Sequence, residues 1–358
     1  MKKFALVIDC GASSVRAAAV DERGRIIQVE ARPNAAVRQS PGSAWLVWDI
    51  EDIWKKMLLC ASALVCRAGG ERFAALALTS FSDDGAPFDR NGKMLYPVIS
   101  WQCARTAAIA ESIGKRIDPR LLFQITGEQP LHQHALFRLL WLREHEPRVM
   151  ERMRRYLMFP GIINRRLTGE TVNDPTTADS MMLMDIRARA YSPRLTGLCG
   201  LDESHFPPLI APGTVIGALL PGVARAIGLK HSLPVIAAGH DTQFAVYGSG
   251  CVPGGACLSS GTWEIIFTRS TRPLTSAAAQ RGGIKNECDA EPGMYNSGTQ
   301  WIGGGVLEWL RARLGRKNPA ALLRECTRLS PGCGGIAALP SLIPGPGSPA
   351  AADGSVLG

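Results

Sequence analysis

Long apolar runs, paired cysteines and an excess of acidic residues are all missing from this 358-residue chain. The opening MKKFALVIDCGASS puts two lysines ahead of an apolar stretch, but Asp9 ends that stretch after Ile8, far short of a membrane span or a secretion-signal core. The expectation is a soluble globular protein in the cytoplasm, with no membrane partner. Ten cysteines stand singly, at Cys10, Cys60, Cys66, Cys103, Cys199, Cys251, Cys257, Cys288, Cys326 and Cys333. Without a CxxC pair or a histidine at ligand spacing they do not read as a zinc framework, and reduced, mostly buried thiols are expected.

Charge is present but unbalanced: Lys and Arg number 40 against 31 Asp and Glu, for a formal net charge of +9. In REHEPRVMERMRRYLMF the cations gather at Arg143, Arg148, Arg152, Arg154 and Arg155. Leu139, Leu140, Leu142, Val149, Met153 and Leu157 keep an apolar helical stripe through the same stretch, so these arginines read as its solvated face and no nucleic-acid partner is expected. An anionic small molecule such as a nucleoside triphosphate fits the charge equally well. With 46% hydrophobic residues the chain can bury large cores, more in keeping with two domains than one.

The chain reads as α/β. FALVID, SVRAAAVD and IIQVEA are successive strands, with Val15, Ala17 and Ala19 alternating along the second and Glu22-Arg23-Gly24 turning into the third. Asp49 caps an amphipathic helix carrying Ile50, Ile53, Trp54, Met57 and Leu58, which Gly69-Gly70 stops. FAALALTSF is a buried strand ending at Asp83-Asp84-Gly85, either a plain turn or part of a ligand site at a strand end. Residues 131–157 read as mostly helical, and PVIAAGHD restarts the strand pattern at Pro234.

Two patterns point to chemistry. VIDCGASSVRAAAV and ACLSSGTWEIIFT each set a Gly/Ser turn between strands, and two such turns facing one another would offer backbone N–H groups and hydroxyls to phosphates. His240-Asp241 interrupts the apolar run PVIAAGHDTQFAVYGSG. Taken alone, Asp241 is either a cap for the following helix or a carboxylate held rigidly at a strand end for proton transfer, with Gly239 allowing a substrate to approach the backbone.

VIDCGASSVR, SWQCART, RRLTGE, AGHDTQFAVYGSG and LSSGTWE, in this order between about Phe4 and Leu329, together resemble the FGGY carbohydrate kinases. The resemblance implies two actin-like (ribonuclease-H-like) domains around a cleft, with a ketose deep inside and ATP and Mg²⁺ above it. It implies transfer of the ATP γ-phosphoryl group to the C1 hydroxyl of L-fuculose, with L-rhamnulose and D-ribulose left open because Asp83 stands where a small or apolar residue is usual. In its terms Ala12, Ser13, Ser14, Val15 and Arg16 form the first phosphate loop, Asp9 positions Mg²⁺, and Gly261 and Thr262 meet the terminal phosphates from the second domain. Asp241 falls on the catalytic base, and His240, Thr242, Asp84, Gly85 and Asn296 on sugar contacts.

The domains expected are 1–228, a partial second domain at 229–330, and a tail at 331–358 whose seven glycines and five prolines favour loop. The family's later glycine-rich adenosine motif is not found, so the second domain is expected to be truncated. A sugar-binding kinase remnant without turnover therefore stands beside the working kinase. The resemblance says nothing of oligomeric state.

Overall fold

The computed structural model describes residues 3–260, 263–315, 318–338 and 356–357. Strict alternation in the opening segment builds β1 (Phe4–Cys10) and β2 (Ser14–Asp21), antiparallel, with Leu6, Ile8, Val15, Ala17 and Ala19 turned to one buried face. β3 (Ile26–Pro33) extends the meander, and its outer position leaves Ile26, Ile27 and Val29 exposed. Helix α1 (Ile50–Ala68) begins where Asp49 accepts hydrogen bonds from the backbone N–H groups of Glu51 and Asp52, and ends at Gly69, whose φ of 85° few other residues tolerate. Its apolar side, Ile53, Met57, Cys60 and Leu64, closes over the strands.

β4 (Phe73–Ser80) runs parallel to β1, β5 is Val215–Ala218, and β6 (Pro234–His240) runs parallel to β4. The six-stranded order is β5-β6-β4-β1-β2-β3. The three parallel strands therefore end side by side, with Cys10 paired to Ser80 and Ser80 to His240. The turn after Cys10, the loop after Ser80 and the helix that begins directly after His240 leave that edge together, where open α/β sheets place their ligands. The expected boundary between 228 and 229 lies inside this sheet, because β6 pairs with β4 and so continues the first sheet to His240.

A second, wholly antiparallel sheet has the order β7-β8-β10-β9, from β7 (Ala256–Ser260), β8 (Trp263–Ser270), β9 (Lys285–Cys288) and β10 (Tyr295–Ile302). Helix α3 (Asp241–Gly248) leads from the first sheet towards it. A second core lies between them, around helix α2 (Ala135–His145), with Leu136, Phe137, Leu140, Met181, Leu183, Cys288 and Tyr295 buried.

The mostly helical pattern expected over 131–157 is interrupted. α2 stops at His145, Pro147–Arg152 forms a separate short helix, and Arg155–Met158 is a strand paired with Gly85–Phe88. Pro147 has no N–H to continue the first helix and starts the second, and Tyr156, Leu157 and Met158 are buried as strand residues. The five arginines of this stretch are exposed. All ten cysteines are free thiols, five of them buried. No helix among the described residues is long and apolar enough to cross a membrane. Most of the expected loop at 331–358 lies outside the described residues.

Candidate active site

A cavity of about 260 Å³ opens where the two sheets face each other. The first-sheet side supplies Ala12, Ser82, Asp83, Gln133 and His134 with His240, Asp241 and Thr242, and the second sheet supplies Ser259, Ile265, Lys285, Glu287 and Gln300. Phe81 and Trp101 add aromatic surface.

The turn after β1 is tightly specified. Gly11 N–H donates to the Ser14 carbonyl at 2.9 Å, and Asn34 holds two further carbonyls, its side-chain amide on Gly11 O at 3.0 Å and its backbone N–H on Ser13 O at 2.9 Å. Of the residues expected to form the phosphate loop, Ala12 lines the cavity, while Ser14 and Val15 belong to β2 and Val15 is fully buried. Arg16 lies directly across the β1–β2 ladder from Asp9 and donates to its carboxylate at 3.1 Å. Burial raises the Asp9 carboxyl, and the charge of Asp241 raises it further, against the opposing pull of Arg16. Asp9 itself does not line the cavity, and its link to Asp241 is this repulsion across the ends of β1 and β6.

Asp241 is the first residue of α3, and His240 holds the cap position. The Asp241 carboxylate accepts from its own neighbour, from Thr242 N–H at 2.7 Å and Thr242 Oγ1 at 3.3 Å, and leaves the later N–H groups of the helix alone. It is one-third exposed at the cavity. A carboxylate fixed by one residue's donors, with its other oxygen open, can accept a proton from a hydroxyl.

What fixes β6 at that point is packing from behind. A Cβ on Gly239 would come within 2.3 Å of the Asp174 carboxylate and 2.4 Å of Thr176 Oγ1. Thr176 Oγ1 also accepts from His240 N–H at 3.0 Å, and Thr79 Oγ1 donates to the Gly239 carbonyl at 2.9 Å. The close approach expected at Gly239 is therefore made by the protein's own buried Asp174 and Thr176.

Three expected sugar contacts stand outside the cavity lining. Asp84 is wholly buried and accepts from the Trp48 indole, from Trp101 N–H at 3.2 Å and from the Arg138 guanidinium at 2.6 Å. Burial pushes its carboxyl up to about 7, against the pull of Arg138. Gly85 begins a strand so tightly paired that a Cβ would meet the Tyr156 ring at 2.6 Å. Asn296 donates to Gln243 Oε1 at 2.6 Å, and Gln243 donates to Glu287 Oε2 at 2.5 Å, so Asn296 stands two hydrogen bonds behind the cavity. Gly261 and Thr262 lie outside the described residues.

Residue-by-residue reading missed Gln133, His134, Lys285, Glu287 and Gln300. Lys285 Nζ sits 3.1 Å from Glu287 Oε1, as alternate residues of one strand should, and Glu287 Oε1 lies 3.5 Å from His240 Nδ1. Although burial opposes it, the carboxylates of Glu128, Glu287 and Asp83 hold the Lys285 ammonium above its ordinary range. The alternation KNEC was the available signal, too short to separate from any other strand.

Residues 4–248 match the N-terminal domain of the FGGY family of carbohydrate kinases. The L-fuculokinase of Salmonella typhi is 42% identical over 309 residues, 86% of this chain and 66% of that protein. The L-fuculokinase of Escherichia coli K12 is 38% identical over 333 residues, 92% of this chain and 71% of that protein. The chain thus spans about two thirds of the length of these relatives. Among solved structures, the xylulose kinase of Rhodospirillum rubrum superposes with a TM-score of 0.86 at 23% identity, covering 100% of this chain and 73% of that one, a likeness of fold.

Proposed function

The chain belongs to the FGGY family of carbohydrate kinases, and from that premise we propose that it transfers the γ-phosphoryl group of ATP to a hydroxyl of a ketose, L-fuculose before L-rhamnulose or D-ribulose. The observation that carries the reading is the position of Asp241: a carboxylate at the end of a buried parallel strand, open to a polar cavity between two sheets.

A sugar hydroxyl is a weak nucleophile, and Asp241 would take its proton as the new bond to phosphorus forms. His240 and Thr242 flank that carboxylate and would hold the sugar in line with it. Bound Mg²⁺ would neutralise the phosphate oxygens, and Asp9 is the residue that would hold it, through water. The turn Gly11–Ser14, with its Gly11 and Ser13 carbonyls tied back by Asn34, would meet the phosphates from the first sheet. Gly261 and Thr262 would do so from the second. The cytoplasm, where ATP is supplied, is the compartment that fits this chemistry.

The test is ADP formation by the purified chain with Mg-ATP and, in turn, L-fuculose, L-rhamnulose, D-ribulose and no sugar. Sugar-dependent ADP release, greatest with L-fuculose, is expected. Ketose binding without ADP release would identify a sugar-binding protein instead, and a different best ketose would change the substrate while keeping the reaction.

A further inference from the structure

On the reading that the cavity takes a ketose, we propose that Asp83 and His134 form a fixed carboxylate–imidazolium pair in its wall, and that the Asp83 carboxylate accepts hydroxyl hydrogen bonds from the sugar and so selects which ketose binds. The two residues lie 51 positions apart. Neither has a role in the phosphoryl-transfer chemistry described above.

The charge state follows from the partners of the ring. His134 Nδ1 lies 2.8 Å from the Ser180 carbonyl oxygen and 3.1 Å from Asp83 Oδ1, and Nε2 lies 3.1 Å from the Gln129 carbonyl oxygen. All three partners are acceptors that carry no proton in their ordinary forms. A neutral imidazole has one N–H, and either tautomer would point a nitrogen lone pair at an oxygen lone pair inside a buried site. Only the doubly protonated ring satisfies both nitrogens. Burial works against a cation there, and the hydrogen bond and charge of Asp83, then the charge of Glu128, outweigh it and raise the His134 pKa. Asp83 is held below the usual carboxylate range in turn: burial would raise it, and the His134 hydrogen bond with the charges of His134, Arg138 and His240 overcomes that.

Asp83 is also held in place through its backbone. Its φ of 67° puts it in the left-handed region, which aspartate tolerates better than most residues. That conformation is clamped from both sides, by Ser180 Oγ accepting from Asp83 N–H at 3.2 Å and by the Arg138 guanidinium donating to the Asp83 carbonyl. Arg138 simultaneously holds Asp84. The carboxylate that results is largely buried, pinned through one oxygen, and part of the cavity lining.

Two further polar atoms of the same wall await a ligand. Ser82 Oγ and Gln133 Oε1 are buried with no hydrogen-bond partner among the described residues, and both residues line the cavity beside Asp83. A polyol bound there would meet a hydroxyl, an amide oxygen and a carboxylate, a set suited to a hydroxyl-rich sugar and hostile to a deoxy analogue.

The experiment combines kinetics with the charge state of the ring, on the full chain. Asp83→Asn keeps size and turn preference while removing the charge, and Asp83→Gly accepts the left-handed backbone without strain, so one or other variant folds. For both, the KM for the preferred ketose is expected to rise roughly 10- to 100-fold, with kcat and the KM for Mg-ATP little changed. A monodeoxy ketose lacking the hydroxyl that meets Asp83 should discriminate between hydroxyl and hydrogen in the wild-type chain and lose that discrimination in the variants. The wild-type ketose KM should also rise at alkaline pH as the His134 imidazolium is lost, a dependence flattened in Asp83→Asn. The other charged groups facing the pair, Glu128, His132, Arg138, His240 and Lys285, are common to both chains.

Nitrogen-15 NMR of histidine-labelled protein without sugar, assigned with His134→Gln, should give a doubly protonated ring at pH 7. A neutral His134 overturns the inference whatever the kinetics. An unchanged ketose KM in an active Asp83→Asn chain overturns it while leaving the kinase reading intact. A wild-type chain that neither binds nor turns over any ketose removes the kinase reading, and the hydroxyl-binding role with it.

Discussion

The two walls of the cavity are held by different physics. The first-sheet wall rests on a continuous apolar core in which Leu6, Ile8, Leu76, Leu78 and Val235 are all but inaccessible. The second sheet leaves much apolar surface open, with Leu258 at 55% and Ile266 at 38% exposure, and Phe267 stands out among its buried apolar residues. Ion pairs fix it instead. Arg269 makes a two-pronged contact with the buried Asp289, at 2.8 and 3.0 Å, and reaches Glu291 at 2.7 Å, while Lys285, Glu287, Gln243 and Asn296 form a hydrogen-bonded chain towards α3. Packing cannot easily be shifted by a ligand, whereas polar chains can re-pair. The expectation is a fixed wall carrying Ala12 and Asp241 against an adjustable one carrying Lys285 and Glu287.

That contrast can be broken by substitution. The largest effect is expected from Arg269→Ala, which leaves Asp289 buried and unpaired and should cost roughly 3–5 kcal/mol in urea denaturation. Replacing both partners, Arg269→Met with Asp289→Leu, should recover most of that loss, because two apolar side chains need no counter-charge. Leu76→Ala in the first sheet should cost about 2–5 kcal/mol through its cavity. No compensating polar change should rescue it. Leu258→Ala should alter stability by less than about 0.5 kcal/mol, since its side chain is mostly in water already.

A smaller effect sharpens the same comparison through pH. Burial pushes Asp84 and Glu128 up to about 7 each, Glu128 against the attraction of Lys285. Unfolded carboxyls titrate near pH 4, so between pH 8 and 6.5 the folded chain takes up protons that the unfolded chain does not, and stability rises as pH falls. Below about pH 6.5 His132 opposes the trend, because burial lowers its pKa to about 4 and the unfolded state gains its proton first. The melting temperature should therefore climb from pH 8 to 6.5 and go on climbing towards pH 5, less steeply than the two carboxyls alone would give. A monotonic fall over the first interval would contradict these environments.

The same division separates what could be read from the chain alone. The three opening strands, α1 with its Asp49 cap, and the strand ending at Ser80 follow from local alternation and capping, and the structure has them within a few residues of expectation. Asp241 was legible because a charge at the end of an apolar run stands out. His134 was not, since its partners Asp83 and Ser180 lie 51 and 46 residues away and nothing near it in the sequence sets it apart. Asp84 and Asp83 are adjacent, and only the left-handed backbone at Asp83 decides which faces the cavity and which turns to Arg138. The helical stripe through Leu157 misled because apolar spacing persists across Pro147 while the backbone changes from helix to strand.

The most direct test of the account compares wild type with Asp241→Asn in two measurements on folded protein, ketose affinity by calorimetry and ketose-dependent ADP release. The account predicts near-equal affinity and a fall in turnover of roughly 10²–10⁴-fold, because the amide keeps the shape of the carboxylate and cannot accept the hydroxyl proton. Turnover by Asp241→Asn at the wild-type rate would contradict it.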